Sequence, residues 1–149
     1  GAVTYCMVMH GCSVEKTLQV PVIGMIVASL LIGGFYPLTQ IYQHRQDAAD
    51  GVTTLSILLG YRGTFVFTAV IYIAAMALLA YQLFTLQQQN YFFIIQLFFI
   101  PVLVFFFWWF YKVFYNQQAA NFVNTMRMNL LASVCTNAAF ITLFLMQKF

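Results

Sequence analysis

The residues best suited to chemistry lie between positions 36 and 51, where a long apolar segment of the chain ends. At about 3.6 residues per turn, one face of a helix here carries four polar side chains, with His44 beside them: Tyr36, Gln40, Gln43 and Asp47. Their hydroxyl, amide and carboxylate groups could converge on a single ligand. Gly51 follows, and we expect it to end the helix and begin a loop.

The composition indicates that membrane helices must position these side chains. Of 149 residues, 63% are hydrophobic and only 6% are charged, and the mean hydropathy is +0.87. Charged residues are absent from residues 17–44, 63–111 and 128–147, and each stretch provides the roughly 20 residues that cross a bilayer. The middle stretch is long enough for two crossings. We therefore predict an all-α, polytopic transmembrane bundle with helices over about 19–43, 64–84, 91–111 and 128–146.

The charges and cysteines exclude several classes of protein. The net charge is only +3, and no run of Lys and Arg supplies the surface that nucleic-acid binding requires. Cys6, Cys12 and Cys135 lie at irregular spacing in apolar surroundings, which argues against a disulfide framework or a cysteine metal site.

The distribution of the cations predicts the orientation in the membrane. With four spans, the loops 44–63 and 112–127 lie on one side, and they hold Arg45, Arg62, Lys112 and Arg127. The other side has only Lys16, offset by Glu15, and Lys148. The positive-inside rule then places the Asp47 loop in the cytoplasm and the protein in the cytoplasmic membrane.

The beginning of the chain suggests that more protein precedes it. The chain starts at Gly1 without a Met, and residues 2–10 are too short to span a bilayer. We interpret them as the tail of an earlier helix. We therefore expect the 149 residues to form a single membrane domain that is the C-terminal portion of a longer protein.

The residues that follow Asp47 resemble a known motif. They read Gly51-Val52-Thr53-Thr54-Leu55 and then Leu59-Gly60. In spacing and context this resembles the UbiA superfamily of intramembrane prenyltransferases, whose second aspartate-rich motif reads D-x-x-D-x-x-x-D, then x-x-x-G-x-x-T-L and a nearby L-G. The three aspartate positions fall on Gln40, Gln43 and Asp47. The family's earlier N-D-x-x-D-x-x-x-D motif has no counterpart here, so the resemblance covers about four of its nine helices.

The resemblance implies a magnesium-dependent enzyme. In the family, carboxylates hold Mg²⁺ that bridges the diphosphate of an isoprenyl donor, and Mg²⁺ often uses one or two carboxylates plus substrate phosphates. Carried over, Asp47 is the catalytic residue and a metal ligand. Gln40 and Gln43 are weaker ligands through their amide oxygens, and Asp50 is a possible second carboxylate.

The resemblance also implies the substrates. The expected reaction transfers an isoprenyl group from a polyprenyl diphosphate to an aromatic or lipophilic acceptor. The candidate contacts of the diphosphate are Arg45 and Arg62, and those of the prenyl chain or acceptor are Tyr36, Tyr42 and Asn129.

Two other interpretations are open. Asn129, Ser133 and Asn137 form a stripe that we expect to face protein or water, and with the two glutamines it could line a transporter or channel. The missing first motif suits a non-catalytic membrane segment that packs with another chain, such as an N-terminal half. His44 is expected to be an interfacial residue rather than a base or ligand.

Overall fold

The computed structural model describes residues 22–148, without the side chains of the last two. The described residues form five α-helices and two 3₁₀ turns, with no strand among them. The helices are α1 (Val22–Thr39), α2 (His44–Ala49), α3 (Leu55–Thr85), α4 (Gln89–Tyr115) and α5 (Phe122–Lys148), and the 3₁₀ turns are Ile41–Gln43 and Gln117–Ala119. The predicted helical tail over residues 2–10 lies outside the described residues.

Four helical segments are long and apolar enough to cross a membrane: Val22–Ala49, Leu55–Thr85, Gln89–Tyr115 and Phe122–Met146. The prediction of an all-α bundle with four spans is therefore confirmed. The second span begins nine residues earlier than the predicted start near residue 64, because Arg62 lies inside α3 rather than in a loop.

The described helices pack in pairs around a small core. α1 packs mainly on α3, α4 packs mainly on α5, and α3 also contacts α4. The core centres on Trp109, which is fully buried, and on the Phe65 ring, whose centroid lies 5.0 Å from that of Trp109. Many other large apolar side chains are exposed, as a surface in contact with lipid requires.

α1 and α3 approach each other closely at Gly34. The Thr68 hydroxyl donates a hydrogen bond of 2.9 Å to the Gly34 carbonyl oxygen, across the two helices. A methyl group placed on Gly34 would lie 2.7 Å from Ile71 Cβ. Small residues at helix contacts are how membrane helices approach closely, so this glycine sets the distance between α1 and α3.

The first predicted helix is shorter than expected. Regular α-helix ends at Thr39, two residues after Pro37, and the backbone then bonds three residues back instead of four, from Gln40 N to Pro37 O and from Gln43 N to Gln40 O. Pro37 lacks the N–H that would bond to the Gly33 carbonyl, which weakens the helix near its end. The polar segment therefore begins in a 3₁₀ turn rather than in a continuous helix.

Candidate functional site

The break after α1 is compatible with the predicted polar face, because a 3₁₀ turn and then α2 continue the polar segment. In a 3₁₀ turn, residues three apart eclipse each other, so Gln43 lies above Gln40, and Asp47 follows one α-helical turn later. All three are partly buried. Tyr36 lies before the break and is 61% exposed, so it is less enclosed than the other three.

The Asp47 carboxylate is unusually placed for an acidic side chain. Its Oδ2 atom is buried and accepts no hydrogen bond from the described residues. A buried carboxylate oxygen without a hydrogen-bond donor has lost its bonds to water, and a cation beside it would compensate for that loss. The other predicted carboxylate, Asp50, is exposed at the C-terminal cap of α2.

The donor set fits a magnesium ion that is shared with a substrate. Among the described residues, no three His, Cys, Asp or Glu side chains lie close enough to form a metal cluster. Asp47 therefore offers one charged ligand, and Gln40 and Gln43 offer neutral amide oxygens. Since Mg²⁺ can be bound by one carboxylate plus substrate phosphates, this set suits a Mg²⁺–diphosphate complex rather than a free ion.

His44 is buried rather than interfacial, contrary to expectation. It is 8% exposed, its Nε2 lies 2.6 Å from Ser56 Oγ, and its ring centroid lies 4.5 Å from that of Tyr61. Ser56 Oγ in turn lies 3.2 Å from Thr64 Oγ1. Ser56 and Thr64 are both fully buried, so a substrate cannot reach this serine, and the cluster does not act as a nucleophile and base.

Local backbone geometry brings Ser56 and Thr64 together at the start of α3. Thr54 caps the helix by accepting a hydrogen bond of 3.3 Å from Ile57 N. Gly60 then breaks the helix with φ 66° and ψ 176°, a conformation that glycine adopts most readily. Neither Ser56 nor Thr64 was predicted from the sequence. In an apolar segment, the sequence does not distinguish a buried Ser or Thr side chain from one that faces lipid.

Two contacts lie at one end of the bundle: one joins the polar segment to the start of α5, and the other joins the first part of α3 to the end of α4. The Tyr42 ring packs edge-on against Phe122 with centroids 5.2 Å apart, and its hydroxyl accepts a hydrogen bond of 2.8 Å from Gln43 Nε2. The Arg62 guanidinium donates a bond of 2.9 Å to the Phe114 carbonyl and stacks 3.9 Å from the Phe114 ring centroid. The prediction that these two connections share a side is thus supported.

An open depression of about 660 Å³ lies at this end, beside the connection between α4 and α5. Its lining includes Lys112, Asn121 and Asn124. The amides of Asn121 and Asn124 donate to backbone oxygens of the same connection, so they stabilise the turn before α5.

Arg62, a predicted diphosphate contact, already caps the C-terminal end of α4. We expect Arg62→Ala to lower the free energy of unfolding by about 1 kcal/mol, because the variant loses a charged hydrogen bond and a cation–π contact at an exposed position. Thermal unfolding in detergent micelles measures the change. Arg45→Ala is the matched control, since Arg45 is exposed and makes no contact of these kinds with the described residues. Equal destabilisation by both variants would contradict this assignment.

The predicted polar stripe on α5 does not face the other described helices. Ser133 and Asn137 are exposed, and Asn137 Nδ2 donates to the Ser133 carbonyl of the same helix at 2.8 Å. Asn129, a predicted substrate contact, is half-buried. Ser133 and Asn137 therefore do not face the interior of the described bundle, and the expectation that the stripe faces protein or water stays a prediction.

A different polar contact lies within the bundle, between α3 and α4. The Tyr72 hydroxyl donates to Gln96 Oε1 at 3.4 Å, and Gln96 Nε2 lies 3.0 Å from Met76 Sδ. The sequence did not single out these residues. Their pairing satisfies a glutamine inside an apolar helix and holds the two helices together.

Comparisons with family models, curated proteins and solved structures yielded no match. The resemblance to the UbiA prenyltransferases therefore depends on the residues from Gln40 to Gly60 alone.

Proposed function

We propose that this chain belongs to a magnesium-dependent membrane prenyltransferase of the UbiA type, which transfers an isoprenyl group from a polyprenyl diphosphate to an aromatic or lipophilic acceptor. The observation that carries the proposal is the buried Oδ2 of Asp47, which accepts no hydrogen bond from the described residues. Asp47 is predicted to share a face with Gln40 and Gln43, at the polar end of a membrane bundle. A carboxylate so placed suits a cation that a diphosphate would share.

The residues that match the family motif also support the proposal through their local roles. Gly51 has φ 69° and follows the C-terminal cap of α2, Thr54 caps α3, and Gly60 breaks α3. These residues form the turn and the helix break that follow the Asp47 segment. The motif spacing therefore corresponds to a specific backbone path beside the candidate metal ligand.

Asp47, with Gln40 and Gln43, would hold the metal ion together with the substrate diphosphate. When bound, Mg²⁺ supplies positive charge that stabilises the departing diphosphate. The exposed Arg45 guanidinium, two residues before Asp47, can bind phosphate oxygens. The Tyr42 and Phe122 rings lie beside the polar segment and offer aromatic faces that attract an allylic cation.

The proposal includes an orientation, with the Asp47 end of the bundle in the cytoplasm. Arg45, Arg62, Lys112 and Arg127 lie in or next to the connections at that end, and the positive-inside rule places such residues in the cytoplasm. A water-soluble diphosphate would then enter from the cytoplasm, while its prenyl chain and the acceptor enter from the bilayer.

The test is an activity assay on the natural polypeptide that carries these residues, reconstituted in nanodiscs. Radiolabelled prenyl diphosphates of several chain lengths are supplied with aromatic acceptors and Mg²⁺, and lipid extracts are analysed for prenylated product. The proposal predicts a product that requires Mg²⁺. Solute flux in proteoliposomes without product would favour a transporter, and failure to bind prenyl diphosphate with Mg²⁺ would favour a non-catalytic segment.

A further inference from the structure

Three buried polar side chains, His44, Ser56 and Thr64, form a hydrogen-bonded chain between α2 and α3. The Thr64 hydroxyl has one hydrogen, and its shortest acceptor is the Gly60 carbonyl at 2.8 Å. The Ser56 hydroxyl can then donate to Thr64 Oγ1 and accept from His44 Nε2. In this arrangement His44, Ser56 and Thr64 each donate one hydrogen bond to the next group. The hydrogen of the neutral His44 ring is then on Nε2.

His44 is the principal attachment of α2 to the rest of the bundle. The helix has only six residues, and His44 is its one buried residue. A helix this short is not stable alone, because nucleation costs more than a few backbone hydrogen bonds return. α2 follows the 3₁₀ turn Ile41–Gln43 directly, and the contacts of the His44 side chain with Ser56 and the Tyr61 ring hold it against α3.

Asp47 lies on this same short helix, one turn after His44. Any motion of α2 on α3 would move the carboxylate with it. The break at Gly60 matters here because the Thr64 hydroxyl, which donates to Gly60 O, also lies 3.2 Å from Ser56 O on the other side of the break. The start of α3 is thereby held in the shape that presents Ser56 to His44.

We propose that His44, Ser56 and Thr64 are positioning residues that fix α2, and with it the Asp47 carboxylate, against the start of α3. Their importance for ligand binding rests on the proposed function. Their effect on the position of α2 does not depend on any ligand. The two consequences can therefore be measured separately.

The first measurement is amide hydrogen exchange of residues 43–50 in the full chain, without ligand. Ser56→Ala and Thr64→Val should each accelerate this exchange about tenfold, because each breaks the chain of donors and leaves a buried polar group unpaired. Thr64→Ser keeps the hydroxyl and loses only the methyl group, so its exchange should stay close to that of the unaltered protein. Thr142→Val is a distant control that removes a hydroxyl bonded within α5.

The second measurement is the affinity for inorganic pyrophosphate in the presence of Mg²⁺. It should fall about tenfold in Thr64→Val and be retained in Thr64→Ser, since a small displacement of a positioned group carries a large cost. A simple packing role would instead make Thr64→Ser at least as harmful as Thr64→Val.

The positioning proposal is overturned if Ser56→Ala and Thr64→Val leave the exchange of residues 43–50 unchanged, or if Thr64→Ser accelerates it as much as Thr64→Val. If the unaltered protein fails to bind pyrophosphate, the proposed function fails, and the exchange rates alone decide whether the chain of hydrogen bonds holds α2. A third outcome is possible: the unaltered protein binds pyrophosphate, and Thr64→Val accelerates the exchange of residues 43–50 without lowering the affinity for pyrophosphate. This outcome would refute the role of the three residues at the Asp47 site.

Discussion

Asp47→Asn should reduce prenyl transfer at least about 100-fold, since even residues that only support a metal ligand commonly contribute 10–100-fold to affinity or activity. The substitution keeps the size and polarity of the side chain but removes the one partly buried negative charge of the polar face. Without that charge, the diphosphate and its metal ion lose their anionic protein ligand. The measurement is the rate of product formation by the natural polypeptide at saturating Mg²⁺.

Asp50→Asn provides the matched control, because it removes the same charge three residues away. Asp50 is exposed and caps the end of α2. We expect its substitution to change the rate by no more than about twofold, as is common for exposed positions. Equal losses in the two variants would show that overall charge, rather than the buried Asp47 oxygen, matters for activity. Full activity of Asp47→Asn would refute the role of Asp47.

Gly34→Ala should lower the free energy of unfolding by about 1–3 kcal/mol, the usual cost of overpacking a close contact. The added methyl group would meet Ile71 Cβ at 2.7 Å, so α1 and α3 must separate. Separation would also lengthen the bond from the Thr68 hydroxyl to the Gly34 carbonyl. The change is measured by equilibrium unfolding in mixed micelles, and a lower melting temperature should accompany it.

Gly33→Ala is the control for this prediction, because a methyl group on Gly33 would meet no atom within 4 Å. Alanine is the better helix former, so this variant should be as stable as the unaltered chain or slightly more stable. If the two variants behave alike, the close approach of α1 and α3 at Gly34 is not a determinant of stability.

The sequence predicted the fold class because charge-free stretches of sufficient length are a direct consequence of the apolar bilayer interior. It was less accurate for helix ends. Arg62 marked the predicted end of a loop, yet the arginine lies inside α3 and its long side chain reaches the end of α4. The start of that helix depends on Thr54, whose capping hydrogen bond is a local feature that charge patterning does not show.

The candidate site was only partly predictable. A common face for Gln40, Gln43 and Asp47 stays a prediction, with which the 3₁₀ turn is compatible because residues three apart eclipse each other in it. Burial of His44 depends instead on Ser56, twelve residues later, and on the break at Gly60 that shapes the start of α3. Such a contact comes from tertiary packing, and periodicity within one helix cannot reveal it.

Binding of a prenyl diphosphate tests the central claim most directly, because it requires neither an acceptor nor turnover. Radiolabelled geranylgeranyl diphosphate is incubated with the protein in nanodiscs, in Mg²⁺ and in EDTA, and the retained label is counted for the unaltered protein and for Asp47→Asn. We expect the unaltered protein to retain the label in Mg²⁺, and we expect EDTA and Asp47→Asn each to abolish this retention. Retention that is equal in all conditions, or absent in all of them, would contradict it.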